Sequence, residues 1–180
     1  YLGDLAAGLR ARGIDGELLV MKSGGGSASF DFAVKQPIHM VESGPVGGVI
    51  GAQAVGRSIG TPDVITLDVG GTTAKTALID DGVVPYTTDY KIERDDLLPG
   101  YPIKVPVVDI VEIGAGGGSI ASHDPIGGLA IGPESAGADP GPACYGKGSQ
   151  PTITDANLVL GYLNPDNFLG GSMQLDVGKS

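Results

Sequence analysis

The clearest chemistry in this sequence sits in Asp68-Val69-Gly70-Gly71-Thr72-Thr73-Ala74-Lys75. Val64–Leu67 before it and Thr76–Ile79 after it are β-rich runs, so the glycines form a turn between two strands. Such a turn aims several backbone N–H groups at one point and makes an anion site. Gly70 and Gly71 let oxyanions approach the backbone, and Thr72 and Thr73 add hydroxyl donors. Asp68, ending its strand, is placed to hold Mg²⁺ through water, and Lys75 to neutralise phosphate charge. The motif is neither a P-loop nor a dinucleotide fingerprint: no G-x-x-x-x-G-K-[ST] occurs, and the turn leads into a strand rather than a helix. The competing reading is a tight hairpin with no ligand.

A second glycine run contains Gly114, Gly116, Gly117, Gly118 and Ser119. It either lines the substrate or phosphates, or is only a tight turn between strands. Asp109 and Glu112 lie just before it. A carboxylate pair suits Mg²⁺ or Mn²⁺ better than Zn²⁺; the alternative is a pair of solvated or capping carboxylates. His39 and His123 are the only histidines. His39 reads as a partly buried strand residue, and His123, following a strand, is the better functional candidate. Cys144 has no activating neighbour in its Pro/Gly loop and reads as structural or inert. Asp155 reads as a capping residue at a helix start.

The elements that must position these groups follow from periodicity. Leu2, Leu5, Ala6 and Leu9 recur at helical spacing, with Gly13 as a stop. Glu17–Met21 is a strand, followed by a loop at Ser23–Ser27. Ser43 or Gly44 caps a helix with Pro45 in its first position, running to about Arg57. Its Gly47, Gly48, Gly51, Ala52 and Ala54 are too small for an ordinary core face; they suit close packing on a sheet or space for a ligand. Asp81-Gly82 is a two-residue hairpin signal, with Val83–Tyr86 continuing the meander. Asp89–Gly100 is a charged surface excursion. Ile103–Val108, Ile110–Ile113, Ile120–Ala121 and Leu129–Ile131 have strand character. Gly132–Gly148 reads as a long ordered loop, and Thr154 caps a last helix at about Asp155–Leu163.

Composition narrows the function. The 180 residues carry a net charge of −10 without a Lys/Arg cluster, which argues against nucleic-acid binding. No apolar run approaches the ~20 residues of a membrane span. A single Cys excludes an internal disulfide and a cysteine-only metal site, and fits a reducing cytoplasm. The absence of an initiator Met and the polar Gly178-Lys179-Ser180 end lead to the expectation of a piece of a longer protein.

The Asp68 turn resembles the phosphate turns of actin, hexokinase and heat-shock chaperone ATPases. The wider text resembles the hydantoinase/oxoprolinase family. It does so through Ser43-Gly44-Pro45-Val46-Gly47-Gly48-Val49-Ile50-Gly51-Ala52, the Asp68 turn, and Ile113-Gly114-Ala115-Gly116-Gly117-Gly118-Ser119-Ile120-Ala121. The stretches from Gly132 to Gly146 and from Thr152 to Gly161 follow in order. The resemblance covers Tyr1 to about Gly171. It implies an α/β fold of the sugar kinase/heat-shock chaperone/actin superfamily: a ribonuclease H-like core, a mixed sheet with packed helices, a three-strand antiparallel meander extended by parallel strands. Residues 1–180 would be one piece of a larger hydantoinase A-type ATPase domain, with 1–60 a helix–strand–helix lead-in and 61–180 an incomplete second phosphate-turn half.

The resemblance also implies ATP and Mg²⁺ as cofactors, with a second divalent metal where Asp109 and Glu112 match a metal-ligand-like pair. The activity implied is ATP-driven opening of a small cyclic amide, of hydantoin or 5-oxoproline type, by phosphorylation of its carbonyl oxygen. A second (B-type) subunit or domain would be the partner, in a hetero-oligomer. Relatives in the same family carboxylate acetone or acetophenone. A non-enzymatic nucleotide-binding regulator is the alternative outside enzymes. Family members carry an earlier D-x-G-G-T turn and a later glycine pair near the adenosine; neither occurs here, so the piece alone is expected to be inactive. Many members have Asp where this chain has Lys75.

Overall fold

The structure, a computed structural model, describes residues 1–92 and 99–180. The middle of the excursion expected at Asp89–Gly100, residues 93–98, lies outside the described residues. The protein is mixed α/β, and the chain divides into two compact units. The first comprises Tyr1–Thr66 and Thr76–Val111, the second Leu67–Lys75 and Glu112–Ser180.

In the first unit, helix α1 (Leu2–Ala11) precedes strands β1 (Leu19–Met21) and β2 (Ser27–Ser29), which pair antiparallel. Gly25 and Gly26, at φ 75° and 69°, turn the chain between them. Helix α2 (Phe30–Lys35) is capped by the Ser29 hydroxyl, which accepts from the Phe32 N–H. Helix α3 (Ser43–Ser58) follows Glu42, whose left-handed backbone (φ 56°) redirects the chain. The helix therefore starts at Ser43 and has no side-chain cap, two residues earlier than a start at Pro45.

The glycines of α3 also differ from expectation. Val46 and Val49 form its packing face, and Gly56 is buried with them. A Cβ at Gly56 would lie 2.7 Å from the Thr61 carbonyl oxygen and 2.8 Å from Val64 Cγ2. At Gly44, Gly48 and Gly51 a Cβ would meet no described atom within 4 Å. The closely packed glycine is thus Gly56, at the end of the helix, where the chain doubles back.

Strands β3 (Val64–Val69) and β4 (Ala74–Ile79) flank the glycine turn. On β4, Ala77 and Ile79 join Val46, Val49, Val84 and Val108 in the apolar core of the first unit, while Leu78 between them is exposed. Asp81 and Gly82 both adopt positive φ (48° and 70°) between Asp80 and Val83, which form the expected two-residue hairpin. Beyond it, β5 (Tyr86–Thr87) pairs with β8 (Val107–Val108), and β6 (Tyr90–Ile92) with β7 (Tyr101–Ile103), both antiparallel. The third strand beside β3 and β4 is β9 (Val111–Ile113), in the order β3-β4-β9. It takes the place expected for Val83–Tyr86, where Val83 makes only an isolated bridge to Asp80 and Tyr86 goes to β5.

In the second unit, β10 (Ser119–His123) and β11 (Leu129–Ser135) form an antiparallel pair with a bulge between Ser119 and Ala121. β11 runs through Gly132-Pro133 and takes in the start of the expected loop. Helix α4 (Ile153–Val159) is capped by Thr152 rather than Thr154, in a reciprocal box with Asp155, and ends four residues before Leu163. No helix among the described residues is long and apolar enough to cross a membrane.

Candidate functional site

The tip of the β3–β4 hairpin lies wholly in the second unit. The Gly70 N–H donates to the Thr73 carbonyl at 2.9 Å and closes a four-residue turn. Among the described residues, the N–H groups of Gly71 and Thr72 donate to no protein acceptor. Two adjacent N–H groups left open at a tight turn are what an oxyanion needs.

The second glycine run packs against this turn. The Gly117 N–H donates to the Gly70 carbonyl at 2.8 Å and the Gly118 N–H to the Gly71 carbonyl at 2.7 Å. The fit tolerates no side chain: a Cβ at Gly116 would lie 2.6 Å from the Thr72 carbonyl carbon and 2.7 Å from the Gly70 oxygen. Helix α4 holds the run from the other side, because the Thr154 N–H and hydroxyl both donate to the Gly117 carbonyl at 2.8 Å. Ser119 is fully buried and its Oγ accepts the Gly116 N–H at 2.8 Å, so its side chain braces the loop from within. Gly71, Thr72 and Gly118 line a cavity of about 250 Å³ together with Ser135, Gly137, Ala138, Pro142, Tyr145 and Thr154. No charged side chain belongs to that lining.

Asp68 is exposed near the end of β3, and its carboxylate takes no hydrogen bond among the described residues. It is not among the residues lining the cavity. Lys75 is nearly covered: its Nζ donates to Thr73 Oγ1 and to Glu112 Oε1, each at 2.8 Å. The hydrogen bond from Lys75 is the largest influence on the Glu112 carboxyl. Against the upward push of partial burial, it and Thr73 hold that group below the usual carboxylate range. Asp109 belongs to the first unit, where its N–H donates to the Pro85 carbonyl. Among the described residues, no three or more His, Cys, Asp or Glu side chains gather as a metal would require.

The remaining candidates are accounted for locally. His39 is partly buried, but in a 3-10 turn at Pro37–Met40 rather than in a strand, with its ring tilted by 47° against Phe32 (centroids 5.4 Å apart), and His123 is exposed on β10. Cys144 is fully buried, and burial followed by the neighbouring Asp155 carboxylate pushes its thiol up to about 12. Such a thiol is inert at neutral pH.

Asp155 does more than cap a helix. It is 1% exposed and accepts from the N–H groups of Ala143 (3.2 Å), Cys144 (2.8 Å) and Thr152 (2.8 Å) and from the Thr152 hydroxyl (2.8 Å). It thereby ties the loop carrying Pro142 and Tyr145, both cavity residues, to α4. Ser135, Tyr145 and Thr154 were not legible as site residues. A hydroxyl at a helix start reads as a cap, and nothing in the local sequence of the other two signals a cavity.

The model of the hydantoinase/oxoprolinase family matches residues 1–179. The chain is 42% identical over 156 residues to the caprolactamase subunit alpha of Pseudomonas jessenii, covering 86% of this chain and 22% of the relative. It is 36% identical over 182 residues to the acetone carboxylase beta subunit of Xanthobacter autotrophicus, covering 99% and 24%. The solved nucleotide-free structure of acetone carboxylase, described as acting in ATP-dependent acetone carboxylation, superposes with a TM-score of 0.77 at 35% identity, over 99% of this chain and 24% of that one. The crystal structure of the ATP-dependent caprolactamase of Pseudomonas jessenii superposes with a TM-score of 0.70 at 38% identity, over 99% and 25%. The chain thus spans about a quarter of the length of these relatives.

Proposed function

The chain belongs to the hydantoinase/oxoprolinase family, and from that premise we propose that it supplies a phosphate-binding half of an ATP-dependent enzyme that opens a cyclic amide. The observation that carries this reading is the turn at Asp68–Lys75, with the N–H groups of Gly71 and Thr72 facing no acceptor among the described residues, beside a loop whose Gly116 leaves no room for a side chain. The actin-like fold and the roles below belong to the same proposal.

Gly70, Gly71, Thr72 and Thr73 cradle the phosphates. Asp68, exposed and with no hydrogen-bond partner among the described residues, fits an outer-shell role toward Mg²⁺, which when bound neutralises the phosphate charge. Transfer of the γ-phosphoryl group to the amide oxygen breaks its bond to ADP and makes that oxygen a leaving group. One water can then attack the carbon and release the ring nitrogen with a proton, and a second water displaces phosphate from the resulting acyl phosphate to leave the carboxylate. The names caprolactamase and acetone carboxylase belong to the relatives, and the cyclic amide is the substrate class we favour here. Because relatives are named as subunits, a second, B-type subunit is the proposed partner; the cytoplasm, which a single Cys fits, is the proposed location. Ketone carboxylation is the second reading, favoured by the acetone carboxylase superposition; a requirement for bicarbonate in turnover would establish it. Nucleotide binding without substrate-stimulated ATP hydrolysis would instead favour a regulator.

Asp68→Asn in the full-length protein tests the assignment. It should lower ATP-coupled kcat by about 10²-fold, the scale of one lost electrostatic contributor, with an unchanged Tm. A near-normal kcat would remove Asp68 from the phosphate site and take away the anchor of the phosphate reading.

A further inference from the structure

The implied second metal does not fit the residues beside the turn. Glu112 presents one carboxylate there, and its Oε1 is 2.8 Å from the Lys75 ammonium. A divalent ion on that carboxylate would sit against a fixed like charge, and no group of three or more His, Cys, Asp or Glu side chains gathers there among the described residues. A protein commonly offers Mg²⁺ one or two carboxylates, with waters and phosphate oxygens completing the octahedron, and here the one carboxylate is already engaged by an ammonium.

We propose that Glu112 is a positioning residue for Lys75 and not a metal ligand, so that the chain's own ammonium stands where a divalent ion would otherwise be held. The proposal rests on the phosphate reading of the turn. Its geometry is a relay within the second unit. Glu112 fixes the ammonium, the ammonium donates to Thr73 Oγ1 at 2.8 Å, and the Thr73 carbonyl closes the turn on the Gly70 N–H at 2.9 Å. Thr73 is therefore gripped at both its side chain and its backbone, and the open N–H groups of Gly71 and Thr72 lie between the two ends of that grip. The Lys75 side chain is 17% exposed and that of Glu112 44%, so the lysine is the more covered partner of the pair. The hydrogen bonds are charge-assisted and short, the kind that fixes geometry.

Two measurements on the full-length protein separate the readings. Mn²⁺ titration followed by electron paramagnetic resonance, without nucleotide, should give the same number of bound ions per chain in wild type and Glu112→Gln. Loss of one bound Mn²⁺ in Glu112→Gln would overturn the proposal. In steady-state kinetics, Glu112→Gln and Lys75→Met should each raise KM for Mg-ATP about tenfold, the scale of a hydrogen bond to a charged group, with kcat changed less. The double variant should be no worse than Lys75→Met, because Glu112 acts only through Lys75. Lys75→Arg should recover part of the loss. Additive effects of the two single variants would also overturn the proposal. If Asp68→Asn leaves ATP turnover untouched, the phosphate reading has failed, and the Mn²⁺ titration still decides whether Glu112 holds metal.

Discussion

The two units of this chain are held together by different forces. The first closes around Val46, Val49, Ala77, Ile79, Val84 and Val108, an apolar cluster between α3 and the sheet. In the second, the apolar cluster is Cys144, Leu158 and Leu175 with partly buried neighbours, and the middle of the structure is a carboxylate that collects backbone N–H groups. Hydrophobic burial is non-directional. It can hold a helix on a sheet, but it cannot fix glycine loops whose backbone must stay accessible. Hydrogen bonds have direction, and the second unit uses them where the candidate site is.

Removing the carboxylate is the hardest blow to that arrangement. Asp155→Ala strands the N–H groups of Ala143, Cys144 and Thr152 in a buried place and removes half of the capping box. At roughly 1–3 kcal/mol for each stranded buried donor, the loss should be about 4 kcal/mol. Urea unfolding should show it, with hydrogen exchange rising first at 141–156. A loss below about 1 kcal/mol would mean the loop is held by something other than Asp155.

The matching cut in the first unit is Ile79→Ala. It removes a fully buried side chain from the apolar cluster and should cost about 3 kcal/mol. Hydrogen exchange should rise in α3 and β4 while 141–156 stays protected. Equal loss of protection in both regions would show one cooperative structure, and the comparison would then describe chemistry only.

A pair of glycine changes sharpens the reading of α3. Gly56→Ala pushes a Cβ into Thr61 and Val64 and should cost about 1–3 kcal/mol through overpacking. Gly51→Ala meets open space and should stabilise by about 0.5–1 kcal/mol through helix propensity. Thermal melting of both variants checks the sign of each.

The pH dependence is the subtlest of these effects. Burial pushes the Asp155 carboxyl up, but the Cys144 N–H and the Thr152 hydroxyl outweigh it and leave the group below the ordinary carboxylate range. A depressed folded value means this contribution is complete above the unfolded carboxylate's pKa, about 3.9. It is lost as pH falls through the folded value. Wild type should therefore lose stability on acidification below about pH 4 more steeply than Asp155→Asn. Parallel acid curves would contradict the hydrogen-bond account of Asp155.

What the sequence determined by itself was local. Asp81-Gly82 requires two positive φ angles and so declares its hairpin. The Asp68–Lys75 text declares a glycine turn between strands, and the family follows from motifs in order along the chain. Their physics lies in a few consecutive residues, where backbone sterics and short hydrogen bonds decide the outcome. Tertiary structure decided the rest. Thr152 caps α4 rather than Thr154, because the Thr154 hydroxyl is drawn to the Gly117 carbonyl, 37 residues away. Glu112 meets Lys75 across the same separation in sequence, so a carboxylate expected beside a metal is ion-paired with an ammonium. Gly47 and Gly51 looked like the packing glycines of α3, yet Gly56 is the tight one, because only the returning chain at Thr61 and Val64 sets where space runs out. Contacts between distant residues depend on how β3, β4, α4 and the second glycine loop come together, and no window of neighbouring residues contains that information.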